Sequence, residues 1–211
     1  MTALRALAVI RRWLAMGGLL LAAGAAVAET LPLRDGDIVF QTSRSAQSLA
    51  VQRATGSPYS HMGIVFVRQG QAFVFEAVGR VQYTPLARWI GRGVGGHVVA
   101  RRLRDAPALL DASAVARLRR AAGGFAGRPY DPAFGWSDER IYCSELVWKI
   151  YQRALGIELG ELQKIREFNL GDPAVRQKIK ERYGRRVPLD EPAISPVAMF
   201  GSRRLITVWE R

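Results

Sequence analysis

Cys143 is the only cysteine of the sequence, and it stands at the head of the run "CSELVWKIYQRALG". Leu146, Val147 and Ile150 follow it by three, four and seven positions, so the thiol shares their apolar, inward-facing stripe. A buried, inert cysteine fits that stripe. The start of a helix adds a second property. Its unpaired backbone N–H groups and the positive end of its dipole favour a thiolate. The same N–H groups can receive the oxyanion of a tetrahedral intermediate.

A cysteine nucleophile needs a base, and the sequence offers two histidines. His97 follows the flexible "GRGVGG" and reads as a solvated residue at a strand edge. His61, in "SPYSHMGIVFV", opens an apolar strand and is the better candidate. The third member of such a set is a polar group that orients the imidazole. Glu76 interrupts the apolar strand "AFVFEAV". If the hairpin turns at Gln69 and Gly70, Val67 pairs with Ala72 and Gly63 lies opposite Glu76. His61 and Glu76 then become diagonal neighbours on one face, with Gly63 leaving space between them. A slip of one residue would turn Glu76 to the other face.

Other chemistries find less support. Two histidines and one cysteine without an HxxEH-type spacing argue against a zinc site. "GRGVGGH" lacks the strand-loop-helix context of a phosphate cradle, and there is no G-x-S-x-G elbow for a serine nucleophile. No metal or cofactor is expected.

The elements that must position these residues follow from periodicity. "GDIVF" reads as a first strand, "HMGIVFV" and "AFVFEAV" as a hairpin, and "HVVARRL" and "RLITVWE" as further strands. Helices are expected at Ser45 to Gly56, Thr84 to Gly91, Asp111 to Phe125 and from Cys143 to about Gly156. Asp172 to Gly184 reads as a basic, mostly solvent-facing helix. Strands near both ends with helices between them predict an α+β fold with an antiparallel sheet.

The N-terminus is a separate matter. Arg5, Arg11 and Arg12 precede the apolar run "WLAMGGLLLAAGAAV", which ends in "AVA" at Ala26 to Ala28. That order predicts a secretory signal peptide over 1–28, leaving a single domain over 29–211. The run falls short of the roughly 20 apolar residues of a spanning helix. The Arg11-Arg12 pair leaves general and twin-arginine export both open. Removing three arginines and no acid lowers the formal charge from +13 to +10. A basic protein in the periplasm, or secreted, would dwell near anionic envelope material, though the charge also fits a general arginine bias. No nucleic-acid motif accompanies it. An oxidising compartment also removes the structural excuse for one unpaired cysteine, because disulfides need two.

"GDIVFQTS", "TGSPYSHMGIV", "GRPYDPAFGWSDERIYCSELVWKIY" and the late "ISP" together resemble the permuted papain-like enzymes of the YiiX/YaeF type. These are relatives of the NlpC-like cell-wall cysteine peptidases and of the lecithin:retinol acyltransferase group. The resemblance implies a circularly permuted NlpC-like fold, a sheet or barrel packed against the helix that carries the nucleophile. It implies Cys143 as nucleophile, His61 as base and Glu76 as its partner, with the histidine strand before the cysteine helix. Tyr142, Ser144 and Tyr130 would be oxyanion or supporting residues. For Tyr142 both readings stand, and for Tyr130 and the adjacent Asp131 a structural role is favoured. The implied substrate is a cell-wall peptide or an acylated lipid or amine. The acyltransferase branch carries "NCEHF" at its cysteine where this chain has "YCSEL", which weakens an acyl-transfer reading. A non-catalytic envelope-binding module is the third reading.

Overall fold

A computed structural model describes residues 32–211. The signal peptide expected at 1–28 lies outside the described residues. The order of elements is β1 (Ile38–Gln41), α1 (Ser48–Thr55), β2 (His61–Arg68), β3 (Gln71–Val78), β4 (Arg80–Pro85) and α2 (Leu86–Gly91). Then come β5 (Val99–Leu103), α3 (Ala106–Leu109), α4 (Ala112–Gly123), α5 (Cys143–Leu155) and β6 (Gln163–Lys164). The chain closes with α6 (Pro173–Tyr183), β7 (Pro192–Ala193), α7 (Pro196–Phe200) and β8 (Leu205–Glu210). Six strands form one antiparallel sheet in the order β4-β3-β2-β1-β5-β8, and β6 pairs with β7 apart from it. The fold is α+β, as the sequence predicts. No helix among the described residues is long and apolar enough to cross a membrane.

The β2–β3 hairpin sets the register on which the site depends. Gln69 and Gly70 both take positive φ, 50° and 75°, as a tight two-residue hairpin turn requires. Val67 therefore pairs with Ala72 and Ile64 with Phe75. One residue further, Gly63 lies opposite Glu76. A Cβ at Gly63 would stand 2.5 Å from Val74 Cγ1 and 2.7 Å from the Phe75 carbonyl oxygen. Gly63→Ala is therefore expected to cost about 1–3 kcal/mol through overpacking. A lower denaturation midpoint with unchanged slope would show it; an unaltered midpoint would contradict the close approach.

Strand alternation divides the core in two. Ile38, Phe40, Met62, Ile64, Phe66, Phe75 and Ala77 meet Leu146, Val147 and Ile150 of α5 on one face. Val39, Val65 and Val74 meet Leu86, Trp89 and Ile90 on the other. Full burial of each such aliphatic or aromatic side chain contributes about 1.5–3 kcal/mol, so both faces hold the sheet in place.

Two elements depart from the sequence expectations. The first helix begins at Ser48 rather than Ser45, because Ser43 and Ser45 are spent in a loop that hydrogen-bonds Ser60. Thr84 and Pro85 end β4 instead of opening a helix. The basic helix α6 is mostly solvent-facing, as expected, and buries Val175 where it lies against α1.

Candidate active site

Tyr142 is extended, with φ −100° and ψ 168°, and the chain turns helical at Cys143. The first helical hydrogen bond of α5 runs from the Leu146 N–H to the Tyr142 carbonyl. The N–H groups of Cys143, Ser144 and Glu145 are thereby left without intrahelical acceptors. Cys143 is 5% exposed and free of any disulfide.

His61 is the first residue of β2. Its Nε2 lies 2.6 Å from Glu76 Oε2, and Cys143 is near enough to the ring to raise its pKa. With Nε2 taken by the carboxylate, Nδ1 is the nitrogen left for sulfur. The ring stacks on Trp89, centroids 6.0 Å apart, which fixes its plane. Glu76 is fully buried, and its second oxygen accepts from Thr84 Oγ1 at 2.5 Å and from the Arg92 guanidinium. The structure therefore brings Cys143, His61 and Glu76 together in that order. It does so in an unexpected way. His61 and Glu76 share the Val65 and Val74 side of the sheet, whereas the apolar stripe of α5 packs on the opposite side. The two halves of the site meet at the end of the sheet, where β2 and α5 both begin.

Charge is concentrated here. Burial pulls the His61 pKa down, but hydrogen bonds and charge from Cys143 and Glu76 outweigh it and raise the value to about 9. Burial pushes the Glu76 carboxyl up, yet His61, Thr84 and Arg92 together hold it below its ordinary 4.5. The two shifts have opposite signs for stability. The His61 contribution is complete below its ordinary 6.5 and is lost as pH rises through about 9. The Glu76 contribution is present above 4.5 and is lost as acid protonates it within the fold.

The supporting residues sort by their partners. The Tyr142 hydroxyl accepts from the Ile194 N–H at 3.1 Å, and Ser144 Oγ donates to the Ile194 carbonyl at 2.7 Å. Both therefore clamp the "ISP" segment against α5, and their polar atoms are spent there. Asp131 accepts from the N–H groups of Ala133 and Gly135 and shapes its own loop. Tyr130 differs. Arg182 can only donate, so Gln47 Oε1 accepts from it at 2.7 Å. Gln47 Nε2 must then donate to the Tyr130 oxygen at 2.5 Å. The direction of this relay leaves the Tyr130 O–H proton free. Burial, followed by the charge of Cys143, raises the Tyr130 pKa, so that proton stays in place. His97 sits away from the site on Glu210, at 3.1 Å.

Residues 32–209 match the family model for permuted papain-like amidase enzymes, the YaeF/YiiX type of the C92 family. The chain belongs to the permuted papain-like amidase family. It is 50% identical over 173 residues to YiiX of Escherichia coli strain K12, covering 82% of this chain and 84% of that protein. Its fold matches a crystal structure described as that of metalloprotein yiiX from Escherichia coli O157:H7. There the TM-score is 0.81 and the identity 49%, covering 84% of this chain and 97% of that one.

The word metalloprotein belongs to that relative, and this member of the amidase family fits a metal poorly. Among the described residues no group of three His, Cys, Asp or Glu side chains is placed to hold an ion. At the candidate site the Glu76 oxygens are already taken by His61, Thr84 and Arg92.

Sequence reasoning missed several contributors to this candidate site. Thr84 and Arg92 grip Glu76, Gln47 and Arg182 orient Tyr130, and Trp89 backs His61. Glu145, fully buried, accepts from the Tyr142 N–H at 3.4 Å and pairs with Lys149 at 2.7 Å, which steadies the start of α5. Burial lifts its pKa, against the pull of Lys149, to about 7. Only the acid in the first turn of α5 carried a sequence signal.

Proposed function

We propose that this chain is an exported cysteine hydrolase that cleaves an amide, or an ester, in a cell-envelope substrate. The observation that carries the proposal is the Cys143–His61–Glu76 chain at the head of α5. The Cys143 thiol proton passes to His61, and the sulfur bonds the substrate carbonyl carbon. The first-turn N–H groups of α5 and the free Tyr130 O–H hold the oxyanion. His61 returns the proton to the leaving nitrogen as the C–N bond breaks, leaving a thioester on Cys143. Water then gives a proton to His61, its oxygen adds to the thioester carbon, and the acid leaves as the thiolate is restored. Glu76 stays ionised and keeps the ring oriented. Export rests on the basic, apolar and "AVA" order of the first 28 residues, and the remaining positive charge suits contact with anionic envelope surfaces.

Two measurements test this reading. The imidazolium must be present to protonate the leaving group, and His61 keeps its proton up to about pH 9. The kcat/KM profile is expected to fall above that pH, about tenfold per unit. A rate still climbing beyond it would contradict the role given to His61. Tyr130→Phe removes one hydroxyl from the oxyanion site. It is expected to lower kcat by about 10²–10³-fold with little change in KM. Equal kcat in the variant would return Tyr130 to a structural role.

A further inference from the structure

Gln41 carries a polar atom that the fold leaves without a partner. It is the last residue of β1, stands opposite His61 in the β1–β2 register and is 1% exposed. Residues directly opposite on antiparallel strands point to the same face, with Cβ atoms about 5 Å apart. The Gln41 amide and the imidazole therefore share the side of the sheet that carries Glu76, and both line one recess with Ser43, Ser60 and Arg92. Among the described residues nothing donates to Gln41 Oε1, although the atom is buried. A buried acceptor without a donor is costly, so one is called for from outside the chain. The backbone also makes room for this amide. Gly93 is bridged to Ser43 and takes ordinary extended angles, φ −76° and ψ 157°, that any residue adopts. Its lack of a Cβ serves space alone: one built there would collide with Gln41 Oε1, while its next neighbour, the Ile90 carbonyl oxygen, lies 3.2 Å away.

The second half of the reaction supplies the missing donor. Once the leaving group has gone, the acyl group sits on the Cys143 sulfur and water reaches it from the His61 side. That water has two protons. One passes to His61 as the oxygen bonds the thioester carbon; the other stays on the oxygen and needs an acceptor. We propose that Gln41 is a catalytic residue of deacylation, its Oε1 accepting a hydrogen bond from the second O–H of the hydrolytic water. Held between His61 and Gln41, the water presents a lone pair to the thioester carbon. The C–S bond then breaks, Cys143 returns as the thiolate, and the acid leaves with the proton that faced Gln41. The inference rests on the hydrolase reading above and names the residue that lets water, rather than another acceptor, discharge the acyl-enzyme. A neutral amide suits the task, because a carboxylate there would compete with Glu76 for the charge on His61.

The test uses para-nitrophenyl acetate, which separates the two halves of the reaction. Its leaving group departs without a proton from His61 and carries no N–H for Gln41. The burst of nitrophenolate therefore reports acylation of Cys143, and the steady rate reports discharge by water. Gln41→Met and Gly93→Ala are each expected to keep the burst rate and to slow the steady rate about 10-fold, the worth of one hydrogen bond. The acetyl adduct on Cys143, read as intact mass, should accumulate in both variants. Gly93→Ala keeps the Gln41 side chain and only displaces its amide, so it decides the matter if Gln41→Met does not fold. Where both fold and disagree, Gln41→Met decides. Burst and steady rates that fall together, or a steady rate that does not fall, overturn the role of Gln41 and leave the hydrolase reading intact. Absence of any acetyl on Cys143 in the parent protein overturns the hydrolase reading, and this inference with it.

Discussion

Cys143→Ala is expected to stop turnover, with a loss on the order of 10⁶-fold, the scale seen when a covalent nucleophile is deleted. The loss should appear in kcat rather than in substrate affinity, since the walls around Cys143 are unchanged. The structural cost is small. Cys143 packs in the core at 5% exposure, so trimming one sulfur costs about 1 kcal/mol, and the variant should remain folded. Circular dichroism and thermal unfolding separate the two effects. An alanine variant that still turns over would remove Cys143 as nucleophile.

Glu76→Gln carries the second largest effect. The amide keeps the shape of the side chain and can still accept from Thr84 or Arg92, but it removes the negative charge that faces His61. His61 then loses one of the two partners that hold its proton against burial, and its pKa drops. Two results are expected together. The kcat should fall by about 10²–10⁴-fold, as when a buried orienting carboxylate becomes an amide. The alkaline limb of the pH profile should move below about 9. A purely structural carboxylate would lower stability without moving that limb, so an unshifted limb contradicts the assigned role.

Much of the pair formed by His61 and Glu76 was legible because strand alternation is local. Gly70 sets the turn, the turn sets the register, and the register places both side chains on one face. Cys143 was equally visible from its position at the head of an apolar helical stripe. That α5 packs on the opposite face of the sheet was not legible, because periodicity gives the faces of an element and not the side from which a distant helix arrives. Thr84 was misread for a related reason. A threonine before a proline signals a helix start, but pairing with β3 held it in a strand and aimed its hydroxyl at Glu76. The Arg182–Gln47 contact spans 135 positions and has no spacing rule to reveal it. Helix α6 reads as polar because Val175, Ile179 and Tyr183 are scattered through a charged run, and their helical spacing gains meaning only once α1 lies opposite.

The most direct measurement is the mass of the intact protein quenched during turnover of an acyl amide. The expected result is an adduct on Cys143 equal to the acyl group less one hydrogen, absent in Cys143→Ala and discharged by water on a chase. Substrate consumed at full rate with no adduct on Cys143 at any quench time, or an adduct carried by another residue, would contradict the covalent mechanism.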